Sequence, residues 1–430
     1  FKLFYKTWSE QAVPASADCV AVLDVKRVTN TLLWQFITSP GQWKPGKLFS
    51  KPSTDTSWRD MFSIPDYVFA FHVKDQPAGN WYVLLHKKSA DGFEAGLKKI
   101  AFEKLGIHEF ISRENGLYLF VQDEQVLAAR AGAEDSSLVR KVANELWTEK
   151  KFIAHTALEK AVDAKSHLAV YFDGGVFLEE AAVIKANFDK EKIRINGILS
   201  PGKQYSFQEE RFLYNSGAML SSGFTQPSPQ VYSLFSAASK ERISRAINVE
   251  MDSVFIPGNN SCNLSLQGIR ERADTAITYS YDDEFNQVEK RVVNTIQEPA
   301  FTFFMNGDQT GSVYDYLQRN KKLENTATGD LFLPMPLVRS FVHKHQENSL
   351  SITSFNYHEE PADATINAVL YFRLGIAAIP PALYRYLPGP VSNLMSNLDE
   401  FSFSVSKQNG QLQVTGMLTK RKSSPSLFGF

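Results

Sequence analysis

Three landmarks occur twice in the same order, and that repetition constrains the fold more than any single motif. Trp81-Tyr-Val-Leu-Leu-His-Lys-Lys-Ser-Ala-Asp91 leads into a helical stretch ending Leu97-Lys-Lys. Phe301-Thr-Phe-Phe-Met-Asn-Gly-Asp-Gln-Thr-Gly311 leads into Val313-Tyr-Asp-Tyr-Leu-Gln-Arg319. Each reads as a buried strand, a polar turn and an amphipathic helix. Leu168-Ala-Val-Tyr-Phe-Asp173 then finds its counterpart in Ala368-Val-Leu-Tyr-Phe372. Each series closes on matching strand ends, Ile195-Asn-Gly-Ile-Leu199 and Val414-Thr-Gly-Met-Leu418. The pattern predicts an α+β protein made by tandem duplication. Residues 1–204 would form the first repeat and 205–430 a second, elaborated one. A length of 430 residues suits two domains.

Local signals agree with that division. Val20 to Val25, Tyr67 to Val73, Leu117 to Val121 and Val126 to Ala129 read as strands. Phe93, Leu97 and Ile100 mark one face of a helix, and Glu134-Asp-Ser-Ser137 opens another with acids at its positive end. Strands and helices mixed in this order, with many hairpins, predict mixed or antiparallel sheets with helices packed on one face. Tyr279 to Arg291 reads as a hairpin with an acidic turn inserted in the second half. The break between halves is expected in Ser200-Pro-Gly-Lys-Gln204 or in Ser216 to Pro229.

Composition excludes several classes. Apolar residues make up 43% and charged residues 22%, which is ordinary globular usage. The formal charge is −1 with no basic stripe, so a nucleic-acid partner is not expected. Lys420-Arg-Lys422 reads as a solvated strand end. Two cysteines, Cys19 and Cys262, supply neither a disulfide scaffold nor a zinc pattern, and Cys19 falls in an apolar run as a buried thiol. The longest apolar stretch, Ala368 to Leu383, is interrupted by Arg373, Pro380 and Pro381 and is too short to span a bilayer.

The opening Pro14-Ala-Ser-Ala-Asp18-Cys-Val-Ala-Val-Leu-Asp24 resembles the start of uncharacterised, membrane-anchored extracytoplasmic bacterial proteins of the Bacteroidetes type. Those carry a Pro-x-x-Ala-Asp turn feeding an apolar strand, after a signal or transmembrane segment, and a loosely duplicated α+β body. The resemblance implies an extracytoplasmic location, in the periplasm or cell envelope, with a membrane anchor upstream of Phe1. It supplies no catalytic residues. Phe1 stands where Met would, which reads as a processed or trimmed start. Phe1 to Trp8 mixes aromatics and cations, as suits either a juxtamembrane segment or a first strand.

Candidate chemistry is sparse. His343-Lys-His345 and His358-Glu-Glu360 gather imidazoles and carboxylates. On a strand His343 and His345 would share a face and could chelate a metal. The preceding Pro334 to Val342 reads as a helix with Pro at its start, and on a helix the two rings diverge. No metal is therefore expected. Ser216-Gly217 and Ser221-Ser-Gly223 lack a nucleophile elbow. Asn306-Gly-Asp-Gln-Thr-Gly-Ser312 lacks the Lys of a phosphate loop and reads as a turn with a helix cap. Asp282-Asp-Glu284 reads as a solvated turn. Asn259 and Asn263 head glycosylation acceptor triplets, relevant only to a eukaryotic secreted protein.

These readings predict a non-enzymatic binding or scaffold protein without a cofactor, its partner a protein or a cell-envelope component. A hydrolase whose active site assembles only in space is the alternative. The candidate contact surface comprises Phe207, Phe212, Tyr214 and Phe224 on one loop, and Tyr279, Tyr281 and Phe285 on the insertion. The apolar end Leu427-Phe-Gly-Phe430 is expected to pack in a groove of its own chain.

Overall fold

The computed structural model describes residues 6–38, 61–77, 79–99, 102–113, 116–130, 136–175, 178–225, 237–254, 260–281, 285–327, 329–334, 338–345, 348–354, 362–384 and 389–424. The expected tail packing of Leu427, Phe428 and Phe430 lies outside them, as do His358 to Glu360, Asp282 to Glu284 and Asn259. The fold is mixed α and β, with extensive antiparallel sheet. The chain divides into two compact units, Phe1–Gly202 with Gly410–Phe430, and Lys203–Asn409. The division falls inside Ser200–Gln204. Gly410–Phe430 groups with the first unit rather than with the 205–430 block, because its strand pairs with Lys192–Leu199.

The first unit runs β1 (Ala17–Asp24), α1 (Val25–Thr38), β2 (Tyr67–Val73), β3 (Trp81–His86), α2 (Ala90–Lys99), β4 (Glu103–Lys104), β5 (Glu109–Ser112), β6 (Leu117–Gln122) and β7 (Gln125–Arg130). It continues with α3 (Ser136–Asn144), α4 (His155–Val162), β8 (Leu168–Phe172), β9 (Ala182–Phe188) and β10 (Lys192–Leu199). The chain's last strand, β22 (Gln411–Lys420), completes it. Antiparallel ladders give the order β4-β5-β6-β7-β3-β2-β1-β8-β9-β10-β22. Alternation builds these strands: Tyr67, Phe69, Phe71 and Val73 are buried on one face of β2.

Helices cover both faces of this sheet, not one. Tyr118 and Leu119 are neighbours on β6 and therefore point to opposite faces. Tyr118 joins a core with Val139, Val142 and Leu158 of α3 and α4. Leu119 joins a separate core with Phe93 and Leu97 of α2. The one-face expectation fails because strands β6 and β7 are apolar at consecutive positions and need cover on both sides. Helix α2 starts at Ala90, so Asp91 falls in its first turn instead of preceding it; Ser89 Oγ accepts the Gly92 N–H at 3.1 Å, and Lys98 and Lys99 lie in the last turn.

The second unit contains β11 (Glu210–Tyr214), β12 (Leu220–Thr225), α5 (Ala237–Ile247), α6 (Met251–Val254), β13 (Ser261–Tyr281), β14 (Gln287–Asn306) and α7 (Thr310–Arg319). There follow β15 (Leu323–Thr326), β16 (Gly329–Phe332), β17 (Ser340–His345), β18 (Ser349–Ser354), β19 (Ala364–Ala368), β20 (Leu370–Gly375), α8 (Pro381–Tyr384), α9 (Gly389–Asn397) and β21 (Leu398–Gln408). Its antiparallel order is β15-β16-β17-β18-β14-β13-β12-β20-β21. Strands β11 and β19 pair separately.

The insertion is a hairpin, and a long one. β13 and β14 pair from Ser261↔Asn306 out to Tyr281↔Gln287. β12 accompanies β13 only as far as Leu266, and β18 accompanies β14 only from Thr302. The remaining ribbon, about 14 residues per strand, projects about 45 Å at the usual rise. Ile277 and Val293 are exposed on it.

Candidate functional site: an apolar cavity in the second unit

A cavity of about 500 Å³ lies in the second unit, and every described residue lining it is apolar. The sheet supplies its floor. Phe301, Phe303 and Met305 alternate along β14, with Leu264 and Leu266 beside them on β13 and Leu350 and Ile352 on β18. Val313 and Leu317, four apart and so on one face of α7, form its cover. Leu220, Val249, Val254, Pro299, Phe332 and Pro334 are the other described residues of the wall. The volume lies within the range of about 300–1,000 Å³ typical of small-molecule sites.

In the first unit a separate apolar core lies between α2 and the sheet. Phe93 and Leu97 on α2 face Leu119, Val121 and Val126 of the sheet, and Met61 and Phe62 sit between them. Met61 has no solvent exposure. It packs so closely on α2 that a Cβ at Gly96 would collide with its Cγ and Sδ. Glycine at 96 is thus what admits the Met61 side chain. On α7, the Tyr316 hydroxyl accepts the Glu250 N–H at 3.0 Å.

A smaller cavity of about 370 Å³ lies in the first unit near the start of α4, lined in part by Lys160, Tyr171 and Asp173. The Tyr171 hydroxyl donates to Asp173 at 3.1 Å, and burial pushes its pKa up to about 12, so it stays protonated. Both thiols are likewise quiet. Burial pushes Cys19 and Cys262 up to about 12, with Asp18 adding to the effect at Cys19.

The residues expected on a contact surface divide into two groups. Phe212 is buried against Tyr371, with ring centroids 5.2 Å apart, and Tyr214 packs on the same ring at 5.7 Å. Gly223 makes room for them, since a Cβ there would collide with both Tyr371 and Phe212. Phe224 packs against the core beside the cavity, and Phe207 is half-buried. Phe212, Tyr214 and Phe224 lie on the strands β11 and β12 rather than on a free loop, whereas Phe207 precedes β11 outside any strand. Tyr279 and Phe285, by contrast, are exposed on the ribbon, and Tyr281 ends β13.

The helical reading of the histidine segment is overturned. Ser340–His345 is a strand whose Phe341 and Val342 are buried by pairing with β18, so His343 and His345 share a face with ring centroids 6.3 Å apart. His345 Nε2 lies 2.7 Å from Ser351 Oγ. Among the described residues no group of three or more His, Cys, Asp or Glu side chains is placed to hold a metal. Asn263 is engaged within the sheet, donating to the Leu213 carbonyl at 2.9 Å and accepting from the Tyr371 hydroxyl at 2.9 Å. No described helix is long and apolar enough to cross a membrane.

Neither a family model nor a curated protein matches this chain. Among solved structures it is similar to crystal form I of TP0453, with a TM-score of 0.29 and 9% identity over 46% of this chain and 80% of that one. A likeness at that score carries no argument about fold or function.

Proposed function

We propose that this chain is a non-enzymatic binding protein that takes up an apolar ligand in the cavity of its second unit. The observation that carries the reading is the lining itself. Among the described residues that line this cavity of about 500 Å³ none is polar, so they offer a bound molecule no acid, base or nucleophile and reward burial of apolar surface. That property weighs against the hydrolase alternative.

The two units are read as diverged repeats. Counting strands from β1 and from β12, and leaving out the separately paired β19, both sheets run 4-5-6-7-3-2-1-8-9. Trp81 and Phe301 then both stand on the third strand. β10 and β22 pair with Asn196 opposite Thr415, the two positions that the matching strand ends equate. On this reading Met61 closes the site in the first repeat, and the second repeat keeps it open. Placement outside the cytoplasmic membrane rests on the resemblance at Pro14 to Asp24, and fractionation of the native host tests it.

Binding is tested by titrating the full chain with N-phenyl-1-naphthylamine, which fluoresces in apolar surroundings. Saturable enhancement is expected, and Leu266→Trp, which puts a bulky ring into the cavity, should abolish it. No enhancement, or equal enhancement in the filled variant, overturns the reading.

A further inference from the structure

The apolar floor of the cavity continues onto the projecting ribbon. Pro299, Phe301, Phe303 and Met305 alternate along β14 and line the cavity, so Val293, further back on the same strand, lies on the same face. Residues directly opposite one another share a face. That adds Ile269 opposite Pro299, Ile277 opposite Arg291 and Tyr279 opposite Glu289 from β13. All four apolar side chains stand in solvent, from 39% exposed at Ile269 to 66% at Val293. A two-stranded ribbon is marginal in water by itself, and an apolar stripe left open along one marks an interaction surface.

What borders the stripe decides its partner. Both edges of the ribbon carry exposed charges, Arg270 and Glu271 on β13 and Glu289, Lys290 and Arg291 on β14, which resist pairing with another strand. A second copy laid face to face would cover a strip of about 40 by 10 Å, or about 800 Å² over both copies, short of the roughly 1,200 Å² of a stable interface. The stripe instead starts at the cavity. Leu266 and Phe301 line it where β12 and β18 leave off, and Ile269 reaches solvent just beyond, opposite Pro299. An apolar molecule suited to that cavity resides in a lipid phase rather than in water. The described charges on the striped face are Glu271, Glu289 and Arg291, two acids against one base, with Arg291 and Glu289 paired at 3.5 Å. A net negative face is repelled by anionic headgroups. We propose that this face of the ribbon docks on a neutral, zwitterionic lipid surface, from which an apolar ligand enters the cavity. Lipid as the partner rests on the apolar-cavity reading of the second unit.

The test is flotation of the full chain with phosphatidylcholine vesicles, run beside the N-phenyl-1-naphthylamine titration in solution. The wild type should float with the vesicles, and added phosphatidylglycerol should not strengthen binding. A triple variant, Ile277→Thr with Tyr279→Thr and Val293→Thr, replaces side chains that are already largely exposed by a β-branched strand former, so the ribbon persists. It should bind vesicles at least about ten-fold more weakly, the factor that one fully buried apolar side chain is worth, and titrate the reporter as the wild type does. No flotation of the wild type, equal flotation of the variant, or stronger binding to the anionic vesicles overturns the proposal. So does a wild-type dimer in sedimentation that the variant loses, which assigns the face to a second copy. Flotation lost in the variant, with no reporter binding by either protein, keeps the docking and sinks the cavity reading. Reporter binding without flotation sinks the docking alone.

Discussion

Replacing Met61 and Gly96, singly and together, probes how closely α2 is packed in the first unit. Met61 is fully buried among Phe62, Phe93, Leu97 and Leu119, so Met61→Ala should cost about 2–5 kcal/mol. Gly96→Ala gains helix propensity of about 1 kcal/mol but drives its new methyl into Met61. Overpacking of that kind costs about 1–3 kcal/mol, so the single variant should be neutral to destabilised. With Met61 already shortened the clash is gone, and Gly96→Ala should then stabilise. The cycle therefore predicts a coupling of about 1–3 kcal/mol. Urea unfolding, read by amide exchange within Ala90–Lys99 so that the first unit is followed by itself, measures it. Additive effects, within about 0.5 kcal/mol, would refute the claim that Met61 and Gly96 were fitted to each other.

Further outcomes are expected. Met61→Ala should also open a second reporter site, doubling the stoichiometry of N-phenyl-1-naphthylamine measured at saturation. Cys19 and Cys262 should resist a thiol reagent at pH 8 in the native protein and react at once in urea, because burial holds both thiols protonated. His167 carries a pH dependence: burial lowers its pKa, and the Phe188 N–H donates to its Nδ1 at 3.2 Å, leaving the proton on Nε2 toward Thr31 Oγ1 at 2.6 Å. The unfolded chain takes up that proton near pH 6.5, before the folded chain does. Its contribution is thus complete above about pH 6.5 and is lost as pH falls through the lower folded value. The urea midpoint should drop less between pH 7 and 5.5 in His167→Gln than in the wild type.

Much of the sheet was legible because alternation is a local signal. Tyr67 to Val73 and Leu117 to Val121 form strands where the pattern placed them. Phe341 and Val342 misled because Pro334 and Pro336 suggested a helix start, whereas pairing with Thr353 and Ile352 decides their state. The ribbon ran longer than its reading because Gly268, Arg270 and Glu271 break the apolar pattern, yet cross-strand pairing continues past them. Phe212 and Phe224 read as contact residues because burial follows from partners distant in sequence, Tyr371 and Cys262 among them. The cavity had no local signature. Its wall is drawn from residues far apart in the sequence, Leu220 on β12, Val313 on α7 and Ile352 on β18 among them.

The central claim is that the second unit encloses an apolar ligand between β14 and α7. A crystal structure of the full chain soaked with bromine-tagged dodecanol tests it directly, because the bromine scatters anomalously. The account predicts one strong peak within the wall formed by Phe303, Leu317 and Ile352, absent from crystals of Leu266→Trp. Bromine found only on the ribbon or at other surface positions, with the cavity vacant, would contradict it.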